Sequence, residues 1–421
     1  HQSLSPLQSS REPALLLFQH VASCTQQYPH SPYSLLLLDY EEQMIKVMHT
    51  QNPRPNLNVG LDYKLITAPG FFITQNTNHN SYRIYGNYQG KRKRYNAYLV
   101  LLGNTIRASE NGGIINDSLL KDPNKKDRFS IPVNLGNSSA FRTNPFVTTV
   151  NTGNTYKDFT FFLRQSYDLG KRDSVAINDS TTEYLFYPKL RIQHSFTYNS
   201  YNYRFSDIVA DSAVYKNWYD VDFQKAKDTF LLKEKWSVIS NDFSLLQFPD
   251  TKNPAQFIMA GVTLQNIKGS FENSSVDFYN ILLHGEYRNR TRNKLWNILL
   301  KGEFYINGLN AGDYSAHGSL DRFLNKRFGS INLFFRNVNR TPSFIFDNRS
   351  AFNLGNNNNF NKENITSFGA TINNPFISIG FKNHLVTNYT FFSNYYKTAQ
   401  YSKLINIIQV FASKKFRISK R

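Results

Sequence analysis

Cysteine is almost missing: Cys24 is the one cysteine in 421 residues, so no internal disulfide can form. Long apolar runs are missing too. No stretch reaches 18 apolar residues, and the greasiest pieces, "ALLLF" and "SLLLLDY", fall far short, which excludes transmembrane helices. The mean hydropathy of −0.49 gives no average sign of a membrane. Alanine is sparse and helix formers do not cluster. The chain starts with His and shows no signal peptide, so a secreted origin requires a missing or processed leader. Negative charge is scarce: 30 Asp and Glu stand against 49 Lys and Arg, a net +19. That excess suits nucleic acid, anionic lipid headgroups or a basic pore, and charge alone does not choose among them.

Motifs for chemistry are absent as well. The nine histidines are scattered, with no HExxH or HxH spacing for a metal. No GxxxxGK[ST] or GxGxxG follows a strand pattern, so nucleotide binding has no support. His194 sits on the apolar parity of its segment, which reads as an interfacial or tucked histidine; a lipase-like pairing with a serine on a neighbouring strand is the weaker reading. Cys24 lies in an irregular leader and takes no role. Asp207, Asp211, Asp220 and Asp222 gather in one loop without the spacing of a calcium loop, so solvated loop acids are expected. No catalytic, cofactor-binding or metal residue is expected, no cofactor, and no enzyme activity.

Aromatics are what the chain has instead: 35 Phe and 26 Tyr, with Trp 15% of all residues. They alternate with polar residues. In "FYPKLRIQHSFTYNSYNYRF", Leu190, Ile192, Phe196 and Tyr198 share one parity, and Arg191, Gln193, Ser195, Thr197 and Asn199 the other. That is the period of a β-strand. Beyond Tyr198 the aromatic set (Tyr201, Tyr203, Phe205) changes parity, which predicts a bulge or the point where the strand leaves the membrane. The same alternation sets Leu57, Val59, Leu61, Tyr63 and Leu65 against Asn58, Asp62 and Lys64. It sets Tyr82, Ile84 and Tyr88 against Arg83 and Asn87, Tyr279, Ile281, Leu283 and Tyr287 against Asn280, His284, Glu286 and Arg288, and Trp296, Ile298, Leu300, Phe304 and Ile306 against Asn297, Lys301 and Glu303. Runs of about 9–11 residues suit a tilted strand crossing a bilayer, where ordinary strands are nearer 5–6.

The connections sort into two kinds. Short, mostly basic turns fall at 90–94 ("GKRKR"), 288–294, 325–327 and 413–415, with "NPRPN", "DTKNP" and "NNP" as further tight turns. Long polar loops are expected near 107–156, 206–228 and 340–364, and one longer turn at 168–183. Short turns at one end and long loops at the other are the asymmetry of an up-and-down outer-membrane barrel. In hydrocarbon every backbone group must pair, so the strands must close.

Six ordered blocks carry a resemblance, among them "HTQNPRPNLNVGLDYKLITAPGFF", "RYNAYLVLLGNTIRASENGGI", "FFLRQSYDLGKRDSV" and "PSFIFDNRSAFNLGNNNNF". Over residues 39–421 the chain resembles the putative porin family of Bacteroidota. The resemblance implies an all-β, antiparallel up-and-down transmembrane β-barrel in the bacterial outer membrane, and little chemistry. Without the usual first strands and a terminal aromatic strand, a barrel incomplete at both ends is expected, with an open seam between first and last strands. Residues 1–38 stay unassigned, as an aberrant leader.

The function expected is passive passage of small polar solutes, with an anion preference from a lumen lined by Lys64, Arg83, Arg191, Gln193, Lys301, Glu303 and Arg336. On that reading Arg191→Glu folds and loses anion preference. The partners are outer-membrane lipid, small polar solutes and proteins met through the long external loops, with no nucleic acid. The alternative is a non-conducting barrel serving as scaffold or subunit of an outer-membrane export or uptake complex, favoured if loop 107–156 blocks the lumen. A soluble basic β-protein binding nucleic acid is the third reading, told apart by solubility without detergent.

Overall fold

The computed structural model describes residues 43–416 apart from 137–149, 179–180, 222–228, 272–273, 351–358, 395 and 415. Residues 1–38 and Asp222 therefore lie outside the described residues. The strands are β1 (Gln43–Arg54), β2 (Leu57–Ala68), β3 (Thr77–Gln89), β4 (Tyr95–Ser109), β5 (Gly153–Asn178), β6 (Thr181–Asp207), β7 (Phe230–Gln247) and β8 (Gln256–Phe271). They continue as β9 (Ser275–Arg290), β10 (Trp296–Gly308), β11 (Tyr314–Asn325), β12 (Gly329–Arg340), β13 (Glu363–Asn373), β14 (Ile377–Thr387), β15 (Tyr389–Phe392), β16 (Thr398–Tyr401) and β17 (Ile405–Lys414). β1 to β14 follow one another in a single antiparallel sheet, with β17 paired to β14; β15 and β16 form a small hairpin inside the last connection. Helix α1 (Ser212–Tyr219) lies in the β6–β7 connection. No helix among the described residues is long and apolar enough to cross a membrane.

The two faces of the sheet differ as the alternation predicts. On one face Ile192, Phe243, Leu264, Leu283, Leu300, Phe304 and Phe335 stand exposed, several of them near 50%. Ser195, Asn199, Thr263 and Asn280, of the opposite parity, are buried. A water-soluble protein hides the first set and wets the second; a barrel in lipid does the reverse. The apolar band on β9 runs from Tyr279 to Tyr287, which at about 3.4 Å per residue and a strand tilt near 40° spans roughly 20–25 Å of bilayer.

Above that band the outward side chains turn polar. Arg204, Lys268 and Asp277 are exposed there. This explains the aromatic change of parity after Tyr198. The β5–β6 and β6–β7 registers run through it without a shift, so there is no bulge. The strand has left the hydrocarbon, and Tyr201, Tyr203 and Phe205 belong to the other face. Tyr201 packs there with Trp236, Val238, Ile267 and Phe344.

Tight turns occur at each of the short-turn sites up to 373–377, while 413–414 closes β17 as strand and residue 415 lies outside the described residues. The opposite end is less uniform than expected. Long connections join β4–β5, β6–β7 and β12–β13, but β8–β9 and β10–β11 turn within a few residues. The segment 168–183, expected as a turn, is strand instead: β5 and β6 are 26 and 27 residues long and pair to their tips at Asn178↔Thr181. Among the described residues β1 pairs with β2 alone and β17 with β14 alone, so these two strands are the edges of the sheet.

Phe344 shows which face is concave. It follows β12, yet its ring lies 4.6 Å from Trp236 on β7 and 5.5 Å from Phe271 on β8. The sheet must curl over β9–β11 with its polar face inward to bring them together.

Candidate solute pathway

Cross-strand registry decides which inward residues meet. Asp62 on β2 faces Arg83 on β3, and the two form an ion pair. Tyr85, next inward on β3, covers Gly60, where any Cβ would collide with its ring. Asp168 on β5 faces Arg191 on β6 and holds it through two hydrogen bonds, Nε donating at 2.6 Å and Nη2 at 2.9 Å. Gln193 is buried between Ser166 and Ser244. On β9 and β10 Glu286 faces Lys301, 3.6 Å away, and also takes Arg288 at 2.9 Å.

The densest group centres on Asp242 of β7. Its carboxylate accepts from Thr263 Oγ1 at 2.6 Å and Ser244 Oγ at 2.7 Å, and sits 2.6 Å from His284 Nε2. His284 lies two strands away and reaches over β8 because Gly261 has no side chain; a Cβ there would sit 2.5 Å from the imidazole. Ser244 and His284 both address the carboxylate, so this is a structural clamp without the serine-to-histidine bond that nucleophilic chemistry requires.

All seven expected lumen residues fall on the inward parity, but their surroundings differ. Arg83, Arg191 and Lys301 have acidic partners; Glu303 lies across from His284 and Ser315. Lys64 is exposed beside Lys46 in register, and Arg336 lies between His317 and Ser367. Among the described residues no ion pair involves Lys64 or Arg336. Reading across β10 to β14 at one level gives Lys301, His317, Arg336, Ser367 and His384 in succession. The acids Asp62, Asp168, Asp242 and Glu286 were not among the residues expected to matter, although each sits on the polar parity of its strand.

Arg191 is paired with Asp168, so a glutamate there would set two carboxylates against each other. His194 is outward as expected, stacked on Phe243 at 4.6 Å. The loop acids have structural duties. Asp207 is fully buried and accepts from Thr152 Oγ1 and Tyr215 Oη. Asp211 caps the N-terminus of α1, and Asp220 pairs with Lys216 at its C-terminal end. Burial and the neighbouring Asp207 push the Tyr215 phenol up.

The mouth of the polar face is crossed by residues 341–350. The base of this loop is tied by Arg340 to Glu363 at 2.7 Å, and by Thr341 N and Oγ1 donating to Asp313. Further along, the loop is held by Phe344 in the Trp236 cluster and by Ser350 Oγ, 3.4 Å from Glu234 Oε2. Loop 107–156, whose occlusion of the lumen would favour the non-conducting alternative, packs as far as it is described with Ile131 and Val133 buried and Thr74 Oγ1 donating to Gly136 O at 2.5 Å.

Solved structures of outer-membrane receptors share this fold. The ferric enterobactin receptor PfeA from Pseudomonas aeruginosa matches with a TM-score of 0.56 and 8% identity, over 90% of this chain and 58% of that one. The siderophore receptor PirA from Acinetobacter baumannii matches with 0.51 and 9%, over 88% and 55%. FpvA from P. aeruginosa, in complex with a ferric pyoverdine, matches with 0.50 and 10%, over 89% and 52%. The chain thus spans between half and three fifths of the length of these receptors. No curated protein sequence matches it. The family model described as Putative porin covers residues 28–421, and with the strand meander, the inverted faces and the receptor-like fold this makes the chain a member of the putative porin family, an outer-membrane β-barrel.

Proposed function

We propose that the barrel lets small polar solutes pass along its polar face, with a mild preference for anions. The observation that carries this is the inward row Lys301, His317, Arg336 and His384 on β10–β14. Conduction needs no catalytic group, only a wetted polar wall and a constriction. On the β2–β9 side the pairs Asp62–Arg83, Asp168–Arg191 and Glu286–Arg288 compensate most of the inward charge, with Lys64 beside Lys46 as the exception. On the β10–β14 side Lys301 shares Glu286 with Arg288, and Arg336, which has no ion pair among the described residues, sets the sign of the preference. Loop 341–350 narrows the path.

The test is single-channel conductance of the full-length protein in planar bilayers, with reversal potential under a salt gradient. The expected result is an open channel whose anion preference falls in Arg336→Glu and stays in Ile192→Val. A protein that folds into lipid and passes no current would count against conduction.

A second reading has an observation of its own. Phe344, Arg349 and Ser350 pin the loop across the mouth, with Arg349 stacked over Phe344 at 5.3 Å and paired to Asp347 at 2.7 Å. A barrel kept closed in this way would serve as a scaffold or subunit of an export or uptake complex. Current that appears only after the loop is loosened would favour this reading.

A further inference from the structure

The β5–β6 hairpin outruns the sheet. β4 stops pairing with β5 at Tyr95↔Tyr167, and the last bond between them is Asp168 N donating to Arg94 O at 2.8 Å. β7 stops pairing with β6 at Leu190↔Gln247, with Phe248 N donating to Lys189 O at 2.9 Å. From 169 to 178 and from 181 to 188 the two strands pair with each other and with no other strand among the described residues. This leaves a two-stranded arm of about ten residues a side, roughly 30 Å long. It projects from the short-turn end, which in outer-membrane barrels faces the periplasm. A lone hairpin is marginal in water, and each of its edges is a template for another strand.

The two edges are unlike. On β6, Pro188 lacks an N–H and the register shifts between Leu169 and Gly170, leaving Lys189 as the extra residue. Its base is a poor template. On β5 the alternation continues unbroken. Asp168 N points toward β4, so the N–H groups of Gly170, Arg172, Ser174 and Ala176 point to the same, vacant side. Ser174 agrees: its N–H donates to the Asp173 carboxylate at 2.9 Å instead of to β6. A strand laid on this edge would extend past the start of β4, over the 90–94 turn. Lys91 and Arg92 are exposed there, and Lys171 and Arg172 are exposed on the arm. The edge supplies the ladder and the turn supplies positive charge.

We propose that the free edge of β5, residues 169–178, takes up an extended, carboxylate-rich segment of a periplasmic partner as an added strand, with Lys91 and Arg92 holding its acidic side chains. Main-chain bonds would give the affinity and the basic turn the choice of partner. The Asp173 carboxylate, now on the Ser174 N–H, stands where the incoming strand's carbonyl would bind and must swing away.

The test uses the full chain in lipid nanodiscs and a synthetic nine-residue peptide alternating Val and Glu. Amide exchange should slow at Gly170, Arg172, Ser174 and Ala176 and not at the residues between them. A peptide with a central proline should not slow it. Lys91→Glu combined with Arg92→Glu, both exposed turn positions, should weaken binding about tenfold, and Asp173→Ala should strengthen it. The proposal is overturned if the Glu peptide protects none of these amides, or if a Val–Lys peptide protects them equally. It is also overturned if phosphatidylglycerol vesicles bind the basic turn while the peptide does not, which would assign the turn to lipid headgroups.

Discussion

Asp242, His284, Thr263 and Ser244 come from three neighbouring strands and close on a single carboxylate. Removing that carboxylate strands three polar partners on a largely buried face. Asp242→Ala should lower stability by about 2–3 kcal/mol, read as a fall in the urea midpoint of the protein refolded in lipid. An unchanged midpoint would mean that water replaces the carboxylate at no cost. Gly261→Val should be at least as damaging, since its side chain occupies the space the imidazole crosses. On β6 the two faces separate cleanly. Ile192→Arg puts a charge on the lipid side near the short-turn end of the strand and should cost about 1–2 kcal/mol, between the interfacial and midplane values, seen as lost folding yield into liposomes. Gln193→Ser, one residue along on the other face, should fold normally. Equal yields from the two would mean that β6 does not contact lipid at this level.

Among the elements, loop 341–350 is the one that changes what the barrel encloses. Phe344→Ala removes the ring that docks against Trp236, Phe271 and Phe278. The loop should detach while the strands stay paired. The expected outcome is faster proteolysis within 341–350, a larger unitary conductance and an unchanged barrel unfolding midpoint. Turns at the opposite end are tied to each other. Arg292 reaches from the β9–β10 turn to Asp250 in the β7–β8 turn, and that hydrogen bond holds the Asp250 carboxyl below its ordinary value. A carboxyl depressed in the folded state contributes above its unfolded pKa, near 4, and loses that contribution as pH falls through the folded value. Asp250→Asn should therefore differ slightly from the parent at pH 7 and match it near pH 2. A difference that persists at pH 2 would show that the pair is not what the substitution removed.

At the scale of the molecule, what the sequence made legible is what the bilayer enforces. Tyr279 and Leu283 against Asn280 and His284 could be sorted without a structure because lipid on one side and water on the other impose a period of two. Where that constraint ends, so does legibility. Residues 168–183 read as a turn because β5 and β6 there have left the hydrocarbon, and "GKRD" and "NDST" carry turn chemistry instead of an apolar face. The inward ion pairs were hidden for another reason. Asp168 and Arg191 are 23 residues apart and meet only through the register, which parity does not specify. Phe344 sits in a polar loop, and nothing around it in sequence names a partner on β7.

The central claim is that Ile192, Leu300 and Phe335 face lipid while Lys64, Glu303 and Arg336 face an aqueous interior. Single cysteines at these six positions, in a Cys24→Ser background and folded into liposomes, can be challenged with a charged, membrane-impermeant maleimide. Lys64→Cys, Glu303→Cys and Arg336→Cys should label quickly, and Ile192→Cys, Leu300→Cys and Phe335→Cys should remain unlabelled until detergent is added. Labelling in the reverse order, or at equal rates on both faces, would contradict the account.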